Sequence, residues 1–153
     1  MKCIEAKTDK EIETAFAIRD RVFIEEQGVA PEIEYDQYDQ NAIHIIGSLE
    51  DIPIAAARIR LVANKALIQR VAILKPYRNQ GYGKKLMFAI EKISQQNKVN
   101  YFYLNAQAHA IPFYQKIGYK ICSQPFFEAG IKHVTMMKVD PHSMGSSSSA
   151  SEF

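Results

Sequence analysis

Arg78-Asn79-Gln80-Gly81-Tyr82-Gly83 decides the reading of this 153-residue chain. Upstream, residues 66–73 are rich in apolar and β-branched residues with no breaker, which predicts a strand. Downstream, Leu86, Met87, Ile90 and Ile93 recur at helical spacing, which predicts a helix over 81–95. A glycine-rich turn that opens a helix leaves backbone N–H groups outside the helical ladder. With the helix dipole they form an anion site. Gly81 and Gly83 let phosphate oxygens approach where a Cβ would stand in the way. The spacing is neither that of a P-loop nor that of a dinucleotide-binding turn, so a different phosphate ligand is required.

Outward from this run the chain reads as alternating strands and helices. Residues 2–7 form a short strand. Thr8 or Asp9 caps a helix to about residue 26 that carries Ile12, Ala15, Phe16, Arg19, Val22 and Phe23 on one face. A polar loop broken by Gly28 and Pro31 follows. Residues 43–49 and 54–61 are strands joined by a tight turn at Glu50-Asp51. After the glycine turn and its helix come a strand at 101–106, a short helix at 111–116 stopped by Gly118, and strands at 120–123 and 132–138. The order predicts an α/β (α+β) domain over 1–139, with a mixed sheet of about seven strands flanked by helices. Residues 140–153 are serine-rich and low in complexity, and read as a disordered tail or as vector-derived sequence.

The bulk properties exclude several classes. Net charge is +2, too small to argue for nucleic acid or a membrane surface. No apolar run approaches transmembrane length, and residues 1–7 show no signal-peptide pattern. Cys3 and Cys122 lack paired spacing, which suits a reduced, cytoplasmic protein. His44, His109, His133 and His142 show no metal-ligand spacing, so no metal is expected. Charge is segregated along the chain. Residues 25–39 hold six acids and no lysine or arginine, and residues 58–90 hold eight bases and no acid. A basic stretch suits a polyanionic ligand and an acidic stretch a cationic one.

The strand, the Arg78–Gly83 loop and its helix resemble the acetyl-CoA-binding motif of the GCN5-related N-acetyltransferases. Asn105-Ala106-Gln107-Ala108-His109-Ala110-Ile111-Pro112-Phe113-Tyr114-Gln115-Lys116-Ile117-Gly118-Tyr119 resembles the second signature of that family. Arg21-Val22-Phe23-Ile24-Glu25-Glu26-Gln27 is similar to the opening of small bacterial members. So is Glu128-Ala129-Gly130-Ile131 with His133. A lesser similarity, of Glu34, Asp36, Tyr38 and Asp39 after Arg21 and Phe23, is to the acyl-homoserine-lactone synthases. Those enzymes carry a tryptophan after the phenylalanine, and this chain has none.

The resemblance implies a GNAT fold, with a mixed, mostly antiparallel central sheet, and direct acetyl transfer from acetyl-CoA to an amine: a small molecule, a lysine or a protein N-terminus. The pyrophosphate would be held by Arg78, Asn79, Gln80, Gly81, Tyr82, Gly83 and Lys84, with Arg78 also shaping the loop. The backbone of Val71, Ala72 and Ile73 would pair with the pantetheine arm, with Asn105 as a polar partner. Tyr114 would donate to the departing thiolate. Glu26 is the favoured base among Glu26, Asp36, Asp39, His109 and His133, with a water relay also open. Arg21, Phe23, Glu26, Asp36 and His133 would contact the acceptor. Relatives often pair as dimers. A non-catalytic acyl-CoA-binding module is the alternative, because the strand before the loop offers Gln69 and Arg70 and no acid.

Overall fold

Four strands pair side by side around one core in the first part of the chain. The computed structural model describes residues 1–140. The described chain divides into two compact units, residues 1–60 with 68–90, and residues 61–67 with those from 91 on. In the first unit β1 (Lys2–Ala6), β2 (Ile43–Leu49), β3 (Ile52–Val62) and β4 (Lys65–Ile73) lie in that order, the hairpin tip at 61–67 belonging to the second unit. β1 runs antiparallel to β2, from Lys2 opposite Ser48 to Ala6 opposite His44. β2 and β3 are joined by Glu50-Asp51 at φ +47° and +67°. Two left-handed residues match the twist of a two-residue hairpin.

Thr8 caps α1 (Asp9–Arg19) through a reciprocal box with Glu11. The helix buries Ala15 and Ile18 with Val22 against Ile46, Ala56, Ala72 and Leu74. The expected single helix to residue 26 is corrected here. From Asp20 to Glu26 the chain is a π-helix, and the Gln27 amide reaches back five residues to the Val22 carbonyl at 3.1 Å. The loop expected next contains α2 (Pro31–Glu34), with proline at its start, and a 3₁₀ turn (Gln37–Asn41) capped by Asp36. α3 (Tyr82–Gln96) follows the glycine turn and buries Leu86, Met87 and Ile90.

In the second unit β5 (Tyr101–Gln107) pairs antiparallel with β8 (Ile131–Val139). On the other side of β8 lie β6 (Lys120–Ile121) and β7 (Phe126–Glu128), at successive stretches of its length. β7 was not expected; three residues after Pro125 are too few to show a period. β7 and β8 are joined by Ala129-Gly130 at φ +53° and +75°. Phe102, Leu104, Ala106, Val134 and Met136 are buried on one face of β5 and β8. α4 (Ile111–Lys116) stands where the sequence puts it, ended by Gly118 at φ +103°. Asp140 is buried, with its amide on the Asn100 carbonyl at 2.7 Å and its carboxylate on Gln95 Nε2 at 3.0 Å. Folded structure therefore reaches one residue into the expected tail; the rest of that tail lies outside the described residues. The α/β class and mostly antiparallel pairing agree with the sequence, with eight strands among the described residues.

Candidate functional site

The glycine turn is built by side chains as much as by glycine. After β4 the chain makes a 3₁₀ turn at Lys75–Tyr77, and Asn79 and Gly81 then take φ of +62° and +87°. A Cβ at Gly81 would meet nothing within 4 Å, so the turn faces open space. The Lys85 amide bonds the Gly81 carbonyl at 3.4 Å. The amides of Tyr82, Gly83 and Lys84 precede that bond and are the free donors of the helix start. Gln80 Nε2 donates to the Pro76 carbonyl at 3.0 Å and braces the loop. Lys84 and Lys85 are exposed beside it.

Arg78 shapes the loop, and its charge is already paired. Its Nε donates to the Ile73 carbonyl at 2.8 Å, and its two terminal nitrogens grip the Glu26 carboxylate at 2.5 and 2.7 Å. The fork is thus committed to shaping the turn. The Arg78 hydrogen bonds hold the Glu26 carboxyl below the usual carboxylate range, against a lesser opposing effect of burial. A carboxylate that binds its proton less tightly is a weaker base, which argues against the catalytic role expected of Glu26. Arg21 is exposed, and Phe23 packs against the core of the first unit.

The acidic stretch is corrected more sharply. Arg19, Glu34, Arg70, Asp36, Arg58 and Asp39 form a closed ring of alternating charge. Around it run Arg19–Glu34 at 2.6 Å, Glu34–Arg70 at 2.9 Å, Arg70–Asp36 at 3.3 Å, Asp36–Arg58 at 2.6 Å, Arg58–Asp39 at 2.9 Å and Asp39–Arg19 at 2.8 Å. The side chains of Arg19 and Arg58 are each 1% exposed. Phe16 and Tyr35 flank the Arg19 guanidinium, 5.0 and 5.2 Å away. Burial pushes the Asp39 carboxyl up, but Arg19 and Arg58 outweigh it and hold it below the usual range; Arg58 and Arg70 do the same for Asp36. In Glu34 burial prevails and its carboxyl is pushed up. Three acids and three arginines cancel, so Asp36 is not a free anion for a cationic acceptor as expected. The missed signal was Arg19, a charge in the apolar stripe of α1.

Arg70 also carries the backbone kink of β4, at φ +55° just before Val71. Its guanidinium donates to the Glu34 carbonyl at 3.0 Å and the Ile33 carbonyl at 3.2 Å. The strand expected to meet the pantetheine arm is thus anchored to the Pro31–Asp36 segment. Ala72 is buried in the core, and the Ile73 carbonyl is taken by Arg78.

In the second unit Tyr114 is 8% exposed, on α4, edge-on to Tyr119 at 5.8 Å. Burial pushes its phenol up to about 12. Tyr119 donates to Glu91 at 2.8 Å, and Lys138 closes on the other Glu91 oxygen at 2.9 Å. Asn105 Oδ1 accepts from Thr135 at 2.9 Å, and its amide reaches Glu128 at 3.3 Å. His133 points Nδ1 at the Ile131 carbonyl, 2.6 Å away, with its ring stacked on Phe126. His109 Nε2 is tied to Gln107 at 2.9 Å. Among the described residues no group of three or more His, Cys, Asp or Glu could hold a metal ion, and no helix is long and apolar enough to cross a membrane.

Comparison with known proteins bears on the family and the fold. The family described as acetyltransferase (GNAT) domain matches residues 4–139. The uncharacterized N-acetyltransferase YjcF of Bacillus subtilis is 37% identical over 90% of this chain and 99% of its own. The crystal structure of an acyl-CoA N-acyltransferase from Pseudomonas aeruginosa superposes with a TM-score of 0.79 at 25% identity, covering 90% of this chain and 97% of that one. A GNAT family acetyltransferase from Elizabethkingia anophelis, solved with acetyl-CoA bound, shares the fold at a TM-score of 0.71 and 13% identity, over 90% of this chain and 97% of that one. A glycine turn opening a long helix, a tyrosine within a short one and a family match over residues 4–139 lead to one assignment: the chain belongs to the GNAT acetyltransferase family.

Proposed function

We propose that the protein is an N-acetyltransferase that moves an acetyl group from acetyl-CoA directly to a primary amine. The observation that carries this reading is the open turn at Gly81, held by Arg78 at the start of a 15-residue helix. Three successive amides, the helix dipole and exposed Lys84 and Lys85 suit the two negative phosphates of coenzyme A. Arg78 acts by holding the turn, and Lys84 takes the neutralising role. The Val71–Ile73 backbone meets the pantetheine arm as an added strand would.

In the reaction the amine nitrogen attacks the thioester carbonyl, and a tetrahedral oxyanion forms. An N–H at Val71 or Ala72, just past the Arg70 kink, stabilises that oxyanion. The carbon–sulfur bond then breaks. A thiol has a pKa of about 8.5, so a phenol pushed up to about 12 does not hand over its proton spontaneously. Tyr114 therefore donates a hydrogen bond to the departing thiolate and remains a phenol.

Release of free thiol from acetyl-CoA, measured with polyamines, aminosugars, amino acids and lysine peptides, tests the proposal. Saturable release with one amine class is expected. Binding of acetyl-CoA with no release in any class would favour a binding module.

A further inference from the structure

We infer that the Glu128–His133 hairpin with the end of β5 is the amine-acceptor subsite, and that His133 Nε2 is the general base. This inference rests on the acetyltransferase reading above. It is carried by the pleat and by the state of each candidate base.

Residues paired across antiparallel strands, and those two apart along a strand, share a face. Gln107 lies opposite His133, and Asn105 opposite Thr135. Phe126 lies opposite His133, and Glu128 opposite Ile131. Asn105, Gln107, Phe126, Glu128, His133 and Thr135 therefore stand on one face of three strands. The other face of β5 and β8 is the apolar core. The two-residue turn at Ala129-Gly130 fixes this register, which accounts for the Glu-Ala-Gly-Ile-x-His segment the cofactor loop leaves unexplained.

Each other acid or histidine considered as a base is engaged. Glu26 is held by Arg78, and Asp36 and Asp39 are held by the arginine ring. The ring nitrogen Nε2 of His109 is bonded to Gln107. His133 differs. A carbonyl can only accept, so the 2.6 Å contact to Ile131 makes Nδ1 the protonated nitrogen and leaves Nε2 with a lone pair. Stacking on Phe126 fixes the ring plane. His133 is 8% exposed, yet Nε2 has no protein partner among the described residues and is not a sealed orphan. The buried side-chain nitrogen or oxygen without a partner among the described residues is His44 Nδ1, in the first unit. Nε2 of His133 is a basic nitrogen that opens onto the polar face.

Glu128 lies on that face and makes no ion pair among the described residues. Its exposed carboxylate, touched by the Asn105 amide, is the counter-charge for an alkylammonium. The ammonium gives one proton to Nε2, and the amine attacks the thioester carbon. A second proton leaves the tetrahedral nitrogen as the carbon–sulfur bond breaks and ends on the sulfur. His133 then returns its proton to water, so one proton is released per acetyl transferred. Among the described residues, Glu128 on β7 shares the face of His133, and His109 is tied to Gln107 opposite it.

The test compares His133→Gln and Glu128→Gln with the wild type, using whichever of spermidine, glucosamine and a lysine peptide turns over fastest. His133→Gln is expected to lower kcat about 100-fold or more and to abolish the rise of kcat with pH, with acetyl-CoA affinity unchanged. Glu128→Gln is expected to raise the amine KM several-fold with kcat kept. A His133→Gln enzyme that binds acetyl-CoA and keeps kcat within a few-fold overturns the inference and leaves the acetyltransferase reading standing. Nitrogen NMR of the imidazoles decides the matter independently of turnover and of any variant's folding. An Nδ1–H tautomer at His133 whose Nε2 signal moves when spermidine is added supports the proposal; an Nε2–H tautomer, or a signal that none of the three amines moves, overturns it.

Discussion

Replacing Asp39 by asparagine should break the charge ring at the carboxylate that joins its two most buried arginines. The Asp39 carboxylate accepts from Arg19 at 2.8 and 3.3 Å and from Arg58 at 2.9 Å, and both arginine side chains are 1% exposed. Asparagine offers one acceptor oxygen, so it can satisfy one arginine and turns its NH₂ towards the other. The lost charge-assisted hydrogen bond costs about 1.5–3 kcal/mol. The ring also changes from three charges of each sign to an excess of one buried cation. Removing one partner of a buried pair costs about 3–5 kcal/mol in total, the value expected here. That is a large share of a domain stability of about 5–15 kcal/mol, and lowers Tm by about 10 °C. Urea unfolding followed by far-UV circular dichroism at pH 7 measures it. The Arg58→Met/Asp39→Asn double variant restores charge balance and should cost less than the two single changes summed. The pH dependence follows from the direction of the shift. Asp39 binds its proton less tightly folded than unfolded, so its stabilisation is fully present above the unfolded value of about 3.9 and is lost as pH falls through the lower folded value. Glu34 works in the opposite sense, its burial favouring the protonated form. The Asp39→Asn variant should therefore lose less stability than the wild type on acidification below pH ~4. A destabilisation under about 1 kcal/mol, or an unchanged acid profile, would refute the ring as a coupled structural unit.

The remaining predictions concern the chemistry. Tyr114→Phe should lower kcat about 10- to 100-fold, the worth of a hydrogen bond to a charged sulfur, with little change in the acetyl-CoA KM; an unchanged kcat would remove Tyr114 from the mechanism. Gly83→Asp should abolish acetyl-CoA binding in calorimetry without lowering Tm, because a carboxylate in the first turn suits the helix dipole but repels pyrophosphate. Normal affinity in that variant would contradict the loop assignment. Glu26→Gln should weaken acetyl-CoA binding by loosening Arg78 while the rise of kcat with pH stays in place; loss of that rise would restore Glu26 as the base.

Local patterns in this chain were legible where the physics is local. The apolar spacing of α3, the Thr8 cap, the Glu50-Asp51 turn and the Gly118 stop each involve residues within a few positions of one another. β7 and the π-helical stretch were not legible. The first is too short to carry a period, and the second depends on a single shifted hydrogen bond at Val22. The glycine turn is legible from its glycines, but the grip of Arg78 on Glu26 joins residues 52 positions apart, and no local spacing shows it.

The acidic and basic stretches show most clearly where sequence stops. Counting charges in sequence set six acids in one stretch apart from eight bases in another, and suggested a separate partner for each. Folding brings Glu34, Asp36 and Asp39 onto Arg19, Arg58 and Arg70, up to 36 positions away, and buries most of the set where unpaired charge is too costly to persist. The same holds for the choice of base. Residue type made five side chains eligible, and only their partners in space distinguish an occupied carboxylate from a histidine with a free lone pair. The family and most of the order of elements could be read along the chain, because they rest on local spacing. Which charged groups are spent on one another was settled only by folding, because pairing depends on distance and burial that no spacing along the chain records.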